Sequence, residues 1–323
     1  MINTDGNPEF LNSFLDYTAT ILNKSPNTVK EYNYDLNRFL KYMKYHLRLT
    51  DEKDLDKITI HDLSLDSLNK VTLDDIHSYL FYLANTFQSK PATRARKAAS
   101  IRVFFKYLSQ KGLIKDNPAI NLETPKLGKR IPKYLSLDDS KKLLEVANSE
   151  DTRNHERDYA ILTLFLNCGM RLSELVGIDI QDIDFNENKM NVIGKGNKER
   201  TIYLNKACIT AINLYLNVRP KTTIKTDSKN ALFLSERLER ISNRTVQYIV
   251  KQELLKAGLD TNKYSVHKLR HTAATLMYKY GNVDIRALQE VLGHESISTT
   301  EIYTHVDNDQ IRNAIEDNPL ANL

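Results

Sequence analysis

The residues best suited to chemistry lie between positions 265 and 305, where basic side chains and one tyrosine recur at short intervals. The candidates in this stretch are His267, Arg270, His271, His294 and Tyr303. His267 and Arg270 are three residues apart, so they share one face of a helix. A cationic pair gains nothing from the positive end of a helix dipole. Its position there indicates that the helix start binds an anion.

Local signals predict the helix that carries this pair. Ser265 is a predicted N-cap, because its hydroxyl can accept a hydrogen bond from a free backbone N–H. An apolar stripe at helical spacing follows, made of Leu269, Ala273, Leu276, Met277 and Tyr280. Gly281 is predicted to end the helix in the left-handed conformation.

Two shorter helices are predicted to place the remaining candidates. Asp284 caps the first and Gly293 ends it, so His294 lies on a turn. Residues 298–301, Ser-Thr-Thr-Glu, form a capping-box pattern that opens the next helix, which carries Tyr303. Each residue alone has an ordinary explanation, since tyrosines pack and histidines cap helices. Their joint spacing, with no acidic metal ligand interleaved, favours a site.

A second group of candidates precedes this stretch. Arg171 and Glu174 are three residues apart on a predicted helical turn, where the carboxylate could hold the guanidinium for bidentate contact with a phosphate. Three short strands are predicted next, and Lys195 lies at a hairpin tip among turn residues. A lysine in a turn is, by itself, simply exposed. No Gly-Lys-Ser or Gly-Lys-Thr ending opens a helix here, so nucleotide use is not expected.

Taken in order, these segments resemble the sequence boxes of the tyrosine recombinases, the phage integrase family, and most closely its Xer type. Residues 168–175 are similar to the first arginine box, with Cys168 where threonine is commoner. Residues 194–200 are similar to the catalytic-lysine hairpin, and residues 267–271 and 292–294 to the later boxes. Several motifs in matching order are far more specific than a single short match.

The resemblance implies a reaction that breaks and remakes DNA strands. Tyr303 would attack the phosphorus and form a 3′-phosphotyrosyl bond. Arg171 and Arg270 would clamp the phosphate oxygens, and His294 would donate a hydrogen bond to the same phosphate. Lys195 would protonate the departing 5′ oxygen.

Three further residues have supporting roles in this scheme. His267 would assist proton transfer from the tyrosine, Glu174 would orient the first arginine, and His271 belongs to the same supporting set. Because the covalent intermediate conserves the energy of the phosphodiester bond, the resemblance implies no ATP and no other cofactor. No cluster of carboxylates in the sequence suggests a metal.

Composition bounds the class of protein. The 323 residues, 41% hydrophobic and 27% charged, suit two globular domains. No apolar run is long enough to span a bilayer and no signal-peptide pattern is present, so a cytoplasmic protein is expected. Cys168 and Cys208 are the only cysteines, which argues against a disulfide framework. A net charge of +5 allows a polyanionic partner without requiring one.

The predicted fold class is mainly α, in two domains joined by a basic linker. Residues 1–117 form a helical, SAM-like core-binding bundle, whose segments 25–39 and 93–97 resemble that domain of the family. Residues 118–133, rich in proline and basic side chains, form the linker. Residues 134–323 form a mostly helical catalytic domain with a small antiparallel sheet and a C-terminal exchange helix. By the resemblance, the two domains form a clamp on DNA.

Basic residues outside the catalytic set are predicted to contact DNA phosphates. They are Arg94, Arg96, Lys97, Lys126, Lys129, Arg130, Lys198 and Arg200. A solvated surface or hinge is the alternative explanation for each. In the same N-terminal half, residues 48–71 are acidic and weakly periodic, and they are predicted to form a solvent-facing connection.

Three functions remain open from the sequence. The first is site-specific recombination by a homo- or hetero-tetramer on two double-stranded DNA sites, with cyclic exchange of the C-terminal segment. It would serve either Xer-like chromosome dimer resolution or integration and excision of a mobile element. The second is type IB topoisomerase-like nicking and rejoining. The third is a DNA-binding architectural protein without catalysis, against which the complete set of catalytic candidates argues. No membrane partner is expected.

Overall fold

A computed structural model gives the fold of two compact units, Met1–Lys129 and Arg130–Leu323. It describes residues 4–125, 133–150, 154–194, 196, 198–281 and 283–306, and of residues 304–306 the backbone alone. The predicted linker, residues 118–133, spans the division, and its residues 126–132 lie outside the described part. The predicted fold class is confirmed, because the described chain is mainly helical with a small antiparallel sheet. None of the described helices has the length and apolarity needed to cross a membrane.

The first unit is a bundle of helices around an aromatic core. Its helices are α1 (Glu9–Thr20), α2 (Pro26–His46), α3 (Leu65–Leu68), α4 (Leu73–Asn85) and α5 (Pro91–Gln110). Ser25 caps α2 just before Pro26, and Thr72 forms a capping box with Asp75 at the start of α4. The largest buried rings are those of Phe14, Phe39, Tyr79, Phe104 and Phe105.

The prediction that residues 48–71 form a solvent-facing connection is wrong. Most apolar residues of this segment are buried in the core of the first unit: Leu55, Ile58, Ile60, Leu63, Leu68 and Val71. Acidic residues that are exposed alternate with them, and the mixture has no helical period. The sequence pattern therefore did not reveal that this segment covers the core with its apolar side chains.

The second unit is built around one almost fully buried helix. Its helices are α6 (Leu137–Ala147), α7 (His155–Cys168), α8 (Leu172–Gly177), α9 (Lys206–Val218), α10 (Asn243–Lys256), α11 (Val266–Tyr280) and α12 (Ile285–Leu292). Helix α7 is apolar on most of its surface and packs against α6, α9, α10 and α11. Its Cys168 and Cys208 of α9 are free and buried, with sulfur atoms 3.6 Å apart, which shows how closely these helices pack.

A three-stranded antiparallel sheet lies between α8 and α9 in the sequence. Its strands are β1 (Ile183–Asp184), β2 (Lys189–Ile193) and β3 (Glu199–Tyr203), paired in that order. The predicted hairpin between β2 and β3 is confirmed, and the Gly194 N–H donates to the Lys198 carbonyl at 2.7 Å across its turn. Lys195 and Asn197, at the tip, lie outside the described residues.

Helix ends near the candidate residues follow the predictions in part. Asp284 accepts hydrogen bonds from two backbone N–H groups at the start of α12, and Gly293 ends that helix with a φ of +62°, both as predicted. Ser265 makes no side-chain capping bond, although its carbonyl accepts the first helical bond of α11. Gly281 has a φ of −93° and is not left-handed, because its N–H continues the helical pattern by donating to Met277. The predicted start and end of α11 are therefore confirmed, whereas the hydroxyl cap of Ser265 and the left-handed conformation of Gly281 are wrong.

The second of the two predicted shorter helices is replaced by two 3₁₀ turns, Ile297–Thr299 and Glu301–Val306. Ser296, rather than the predicted box at residues 298–301, caps the first turn. The second turn carries Tyr303, as the sequence placed it.

Candidate active site

Four of the candidate residues line one open cavity of about 740 Å³ in the second unit. They are Arg171, His267, Arg270 and His294. Arg171 immediately precedes α8, the next two lie in the first turns of α11, and His294 follows α12. Three helix ends thus converge on one cavity. They bring together residues whose proximity the sequence spacing could predict only within each segment.

Glu174 is the carboxylate that holds the arginines of this cavity. It is fully buried, and it accepts hydrogen bonds from Nη1 of Arg171 at 2.7 Å and from the backbone N–H of Arg171 at 2.6 Å. Arg200 donates to the same carboxylate from Nη2 at 2.9 Å. Burial opposes ionisation of Glu174, but the hydrogen bonds and charges of Arg200 and Arg171 outweigh it and lower the pKa.

Arg200 is therefore a structural part of the site, although the sequence suggested only a DNA contact. Its side chain is 13% exposed. Besides Glu174, it donates from Nη1 to the carbonyl of Val291 in α12. This guanidinium joins β3 to α8 and α12, and these protein partners occupy its donors. Its predicted contact with a DNA phosphate is therefore not favoured by the structure and stays a prediction.

Backbone carbonyls at two helix ends fix the two predicted phosphate clamps. Arg270 is 5% exposed, and its Nη1 and Nη2 donate to the carbonyls of Gly169 and Leu292, each at 2.6 Å. Arg171 donates from Nη2 to the Gly293 carbonyl, also at 2.6 Å. Burial, followed by the charge of Arg171, lowers the pKa of Arg270 to about 10, so it stays protonated at neutral pH. The C-terminal ends of α7 and α12 favour these cations through their dipoles.

His294 is oriented by a threonine that sequence reasoning missed. Its Nδ1 lies 2.9 Å from Oγ1 of Thr300, which is fully buried. Nothing distinguished Thr300 from its hydroxyl-bearing neighbours before the fold was known. Burial, then the charges of Arg270 and Arg171, lower the pKa of His294 to about 4. An anion in the cavity would offset those charges and favour the imidazolium.

Tyr303 is buried close to the cavity, and it is not among the described residues that line it. Its ring is 1% exposed and packs in an apolar cluster with Ala274, Leu288 and Leu292. Its hydroxyl lies 2.7 Å from Nδ1 of His271. Burial raises the pKa of Tyr303 to about 12, against the opposing charge of Arg270. The phenol is therefore neutral and held inside the unit.

The two histidines of α11 are one helical turn apart, and His267 lines the cavity while His271 contacts this tyrosine. Their ring centroids are 4.6 Å apart in an edge-on contact. Burial, then the charges of Lys268 and Arg270, lower the pKa of His267. Burial, followed by the charge of His267, lowers the pKa of His271 to about 4. At neutral pH both rings are uncharged, which leaves a nitrogen on each that can accept a proton.

Lys195 lies outside the described residues, but the base of its hairpin is described. A Cβ added to Gly194 would lie 3.4 Å from Oε1 of Glu174 and 3.8 Å from Nη1 of Arg171. On the other side of the turn, Lys198 forms an exposed ion pair with Glu295 at 3.1 Å. The hairpin thus begins at the edge of the cavity, while the positions of the lysine ammonium and of any DNA contact by Lys198 stay predictions.

The basic residues of α5 make contacts within the first unit. Asp35 of α2 is buried and accepts hydrogen bonds from Arg96 at 2.5 and 3.0 Å and from Lys97 at 2.7 Å. Lys97 is itself only 5% exposed, so in this conformation its ammonium group faces a carboxylate rather than solvent. Arg96 keeps 43% of its side chain exposed. The helical-wheel interpretation of these residues as one solvent-facing basic stripe is therefore wrong for Lys97.

The other predicted DNA contacts are not resolved by the structure. Arg94 donates to the carbonyl of Ser89 within its own unit. Lys126, Lys129 and Arg130 lie outside the described residues. For all these residues, contact with phosphate stays a prediction.

The described side chains suit chemistry at a phosphodiester. Two arginines can neutralise the non-bridging oxygens and a histidine can donate to them. A phenol, the type of side chain that can act as a nucleophile, is buried in the same unit. In the described part of the chain, no group of three or more His, Cys, Asp or Glu side chains could hold a metal ion.

Known proteins resemble this chain over nearly its full length. Residues 133–310 match the phage integrase family, and residues 11–112 match its N-terminal SAM-like domain. Tyrosine recombinase XerC of Caldanaerobacter subterraneus subsp. tengcongensis is 54% identical over 97% of this chain and 88% of its own. XerC of Alcanivorax borkumensis is 37% identical over 92% and 89%. The crystal structure of XerH site-specific recombinase bound to difH substrate shares the fold, with a TM-score of 0.68, 22% identity, and coverage of 95% of this chain and 94% of that one.

Proposed function

The chain belongs to the phage integrase family of tyrosine recombinases, and we propose that it is an Xer-type site-specific DNA recombinase. It cleaves and rejoins DNA strands through a covalent 3′-phosphotyrosyl intermediate. The observation that carries this function is the convergence of Arg171, Arg270 and His294 on one cavity with Tyr303 buried nearby. Two relatives named XerC, at 54% and 37% identity, favour chromosome dimer resolution over movement of a mobile element.

Each residue of the site has a task that its chemistry suits. Tyr303 is the nucleophile. Arg171 and Arg270 bind the non-bridging oxygens of the scissile phosphate, and their carbonyl and carboxylate partners keep both guanidinium groups in place. His294 becomes protonated beside the phosphate and donates to it. Lys195, on the hairpin that begins at the cavity edge, protonates the departing 5′ oxygen.

The rest of the chain presents this site to DNA. Residues 1–117 are the core-binding domain, residues 118–133 are a linker along the DNA backbone, and residues 134–323 are the catalytic domain with the exchange segment. The active assembly is a tetramer of identical or related recombinases on two DNA sites. It works in the cytoplasm and uses no cofactor.

Covalent capture of DNA tests this function. The protein is incubated with sheared chromosomal DNA of the source organism and trapped with detergent, and the attached fragments are sequenced to obtain the site. On a nicked duplex carrying that site, the wild type should form a covalent adduct. Tyr303→Phe should bind the duplex equally well and form none. An adduct with this variant would assign the nucleophile to another residue.

Two controls separate this activity from related ones. Adduct formation should be unchanged by EDTA, and loss of cleavage with binding intact would overturn the metal-free mechanism. A plasmid with two copies of the site should recombine. If supercoils relax equally well in a plasmid without the site, the activity is that of a type IB topoisomerase instead.

A further inference from the structure

The hydrogen bond of the Tyr303 hydroxyl indicates where its proton goes. Among the described residues, the partner of this hydroxyl is His271, whose Nδ1 lies 2.7 Å away. His267, on the cavity wall, is the residue that the family resemblance associated with this proton. It lies one helical turn from His271, and its described ring contact is with that residue. Within the described part of the chain, His271 therefore connects the nucleophile to the cavity histidine.

The surroundings of His271 suit a proton acceptor. The histidine is only partly buried, whereas the tyrosine that it contacts is 1% exposed. Burial, then the charges of His267, Lys268, Arg270 and His294, lower the pKa of His271 and keep the imidazole unprotonated at neutral pH. If the phenol donates, Nδ1 is the acceptor and the proton of the neutral ring is on Nε2. An unprotonated nitrogen thus already lies at hydrogen-bond distance from the atom that must lose its proton.

We propose that His271 is a catalytic residue that accepts the Tyr303 proton through Nδ1 during strand cleavage, an assignment that rests on the proposed recombinase function. In this step the Tyr303 oxygen forms a bond to phosphorus, and the bond from phosphorus to the 5′ oxygen breaks. The phenolic proton passes to His271, and the 5′ oxygen takes a proton from Lys195. During rejoining, the 5′ hydroxyl gives its proton back to Lys195 as its oxygen attacks phosphorus. The bond from phosphorus to the Tyr303 oxygen breaks, and His271 returns the phenolic proton to that oxygen.

Two substitutions separate this role from simple support of a buried phenol. The Oδ1 atom of His271→Asn lies close to the former Nδ1 position, so it can accept the same hydrogen bond but cannot take up the proton. His271→Ala removes both functions and leaves a space that free imidazole can fill. His267→Ala is the matched control on the next turn of the helix.

The measurement is single-turnover adduct formation on the captured DNA site with sulfur at the 5′ bridging position. This leaving group needs no proton, so the rate reports activation of the nucleophile alone. Both His271 variants should be about 10²-fold or more slower than the wild type, the usual contribution of a general base. Added imidazole should accelerate His271→Ala and leave His267→Ala unchanged. Lys195→Ala should approach the wild-type rate on this substrate.

The outcomes distinguish this inference from the function on which it rests. An adduct with the wild type and none with Tyr303→Phe maintains the recombinase assignment whatever the histidine variants do. Within that result, a His271→Asn protein that cleaves at the wild-type rate overturns the catalytic role, as does imidazole rescue of His267→Ala alone. Binding of the nicked duplex and cooperative thermal unfolding identify the variants that are folded. If His271→Ala does not fold, the result with His271→Asn decides the question. No adduct with the wild type overturns both proposals.

Discussion

Glu174 is a single carboxylate shared by two guanidinium groups, so its charge matters both to stability and to catalysis. Glu174→Gln keeps the shape but removes the charge that Arg171 and Arg200 face. Loss of hydrogen bonds between charged groups should lower the free energy of unfolding by about 1.5–3 kcal/mol. It should also slow adduct formation, because Arg171 loses the partner that orients it. The two readouts are denaturant unfolding and the nicked-duplex assay.

The matched control for this change is Glu239→Gln. Glu239 pairs with Lys225 on the surface, where both side chains are well exposed. Exposed ion pairs typically contribute about 0–1 kcal/mol, so neither readout should change much. Equal losses in the two variants would show that the buried carboxylate has no special role in holding the arginines.

The neutral histidines of the site predict how stability depends on pH. His271 and His294 have a pKa of about 4 in the folded protein, whereas an unfolded histidine has one of about 6.5. Between these values the unfolded chain binds more protons, so stability rises with pH there. The contribution of these two histidines to stability should be fully present above pH ~6.5 and should decline as the pH falls toward ~4. Melting temperatures at constant ionic strength should follow this course, and His294→Asn should flatten it; an unchanged slope would contradict the assignment.

The turn between α12 and His294 contains Gly293, which lies against the side chains of Arg171 and Arg200. Glycine is required at this position for two reasons. Gly293 has a φ of +62°, and an added Cβ would lie 2.8 Å from Cδ of Arg200 and 3.4 Å from Nη1 of Arg171. Gly293→Ala should therefore cost about 1–2 kcal/mol of stability from the backbone conformation. By displacing the guanidinium groups, it should also slow cleavage by about 10²-fold.

Gly112 supplies a control with the same backbone conformation and no neighbours. Its φ is +67°, and apart from its two neighbours in the chain no described residue lies within 4 Å of an added Cβ. Gly112→Ala should lose a similar amount of stability while its folded form cleaves normally. If both variants cleave at the wild-type rate once folded, the contact between this turn and the arginines does not matter for catalysis.

Comparison of these elements shows which features could be predicted from the sequence. Asp284 and Gly293 were assigned correctly because a cap and a left-handed helix end depend on a few adjacent residues. Lys97 was misplaced because its partner Asp35 is 62 residues away, and a helical wheel does not contain that contact. Thr300 and the carboxylate contact of Arg200 were missed for the same reason. Their roles depend on the packing of α12 and the hairpin, not on local pattern.

The assembled recombinase requires a means of coupling one chain to the next, and the segment after Tyr303 is the candidate. Residues 307–323 lie outside the described part of the structure. In the sequence, Ile311, Ala314 and Ile315 form a narrow apolar stripe before a proline. So short a helix is marginal alone and needs a surface on which to dock. Docking on the neighbouring protomer would give a cyclic assembly and connect each nucleophile to an adjacent chain.

Deletion of residues 308–323 should therefore leave binding to a half-site nearly unchanged, weaken cooperative binding to the full site and abolish recombination. A finer test adds one negative charge either on the stripe or beside it. Ile311→Asp should reproduce the loss of cooperativity, whereas Asn313→Asp, with the same added charge off the stripe, should not. Gel-shift titrations on half and full sites measure the coupling, and a two-site plasmid measures recombination. A truncated protein that still pairs cooperatively and recombines at the wild-type rate would show that the tail docks on its own domain and that another surface couples the protomers.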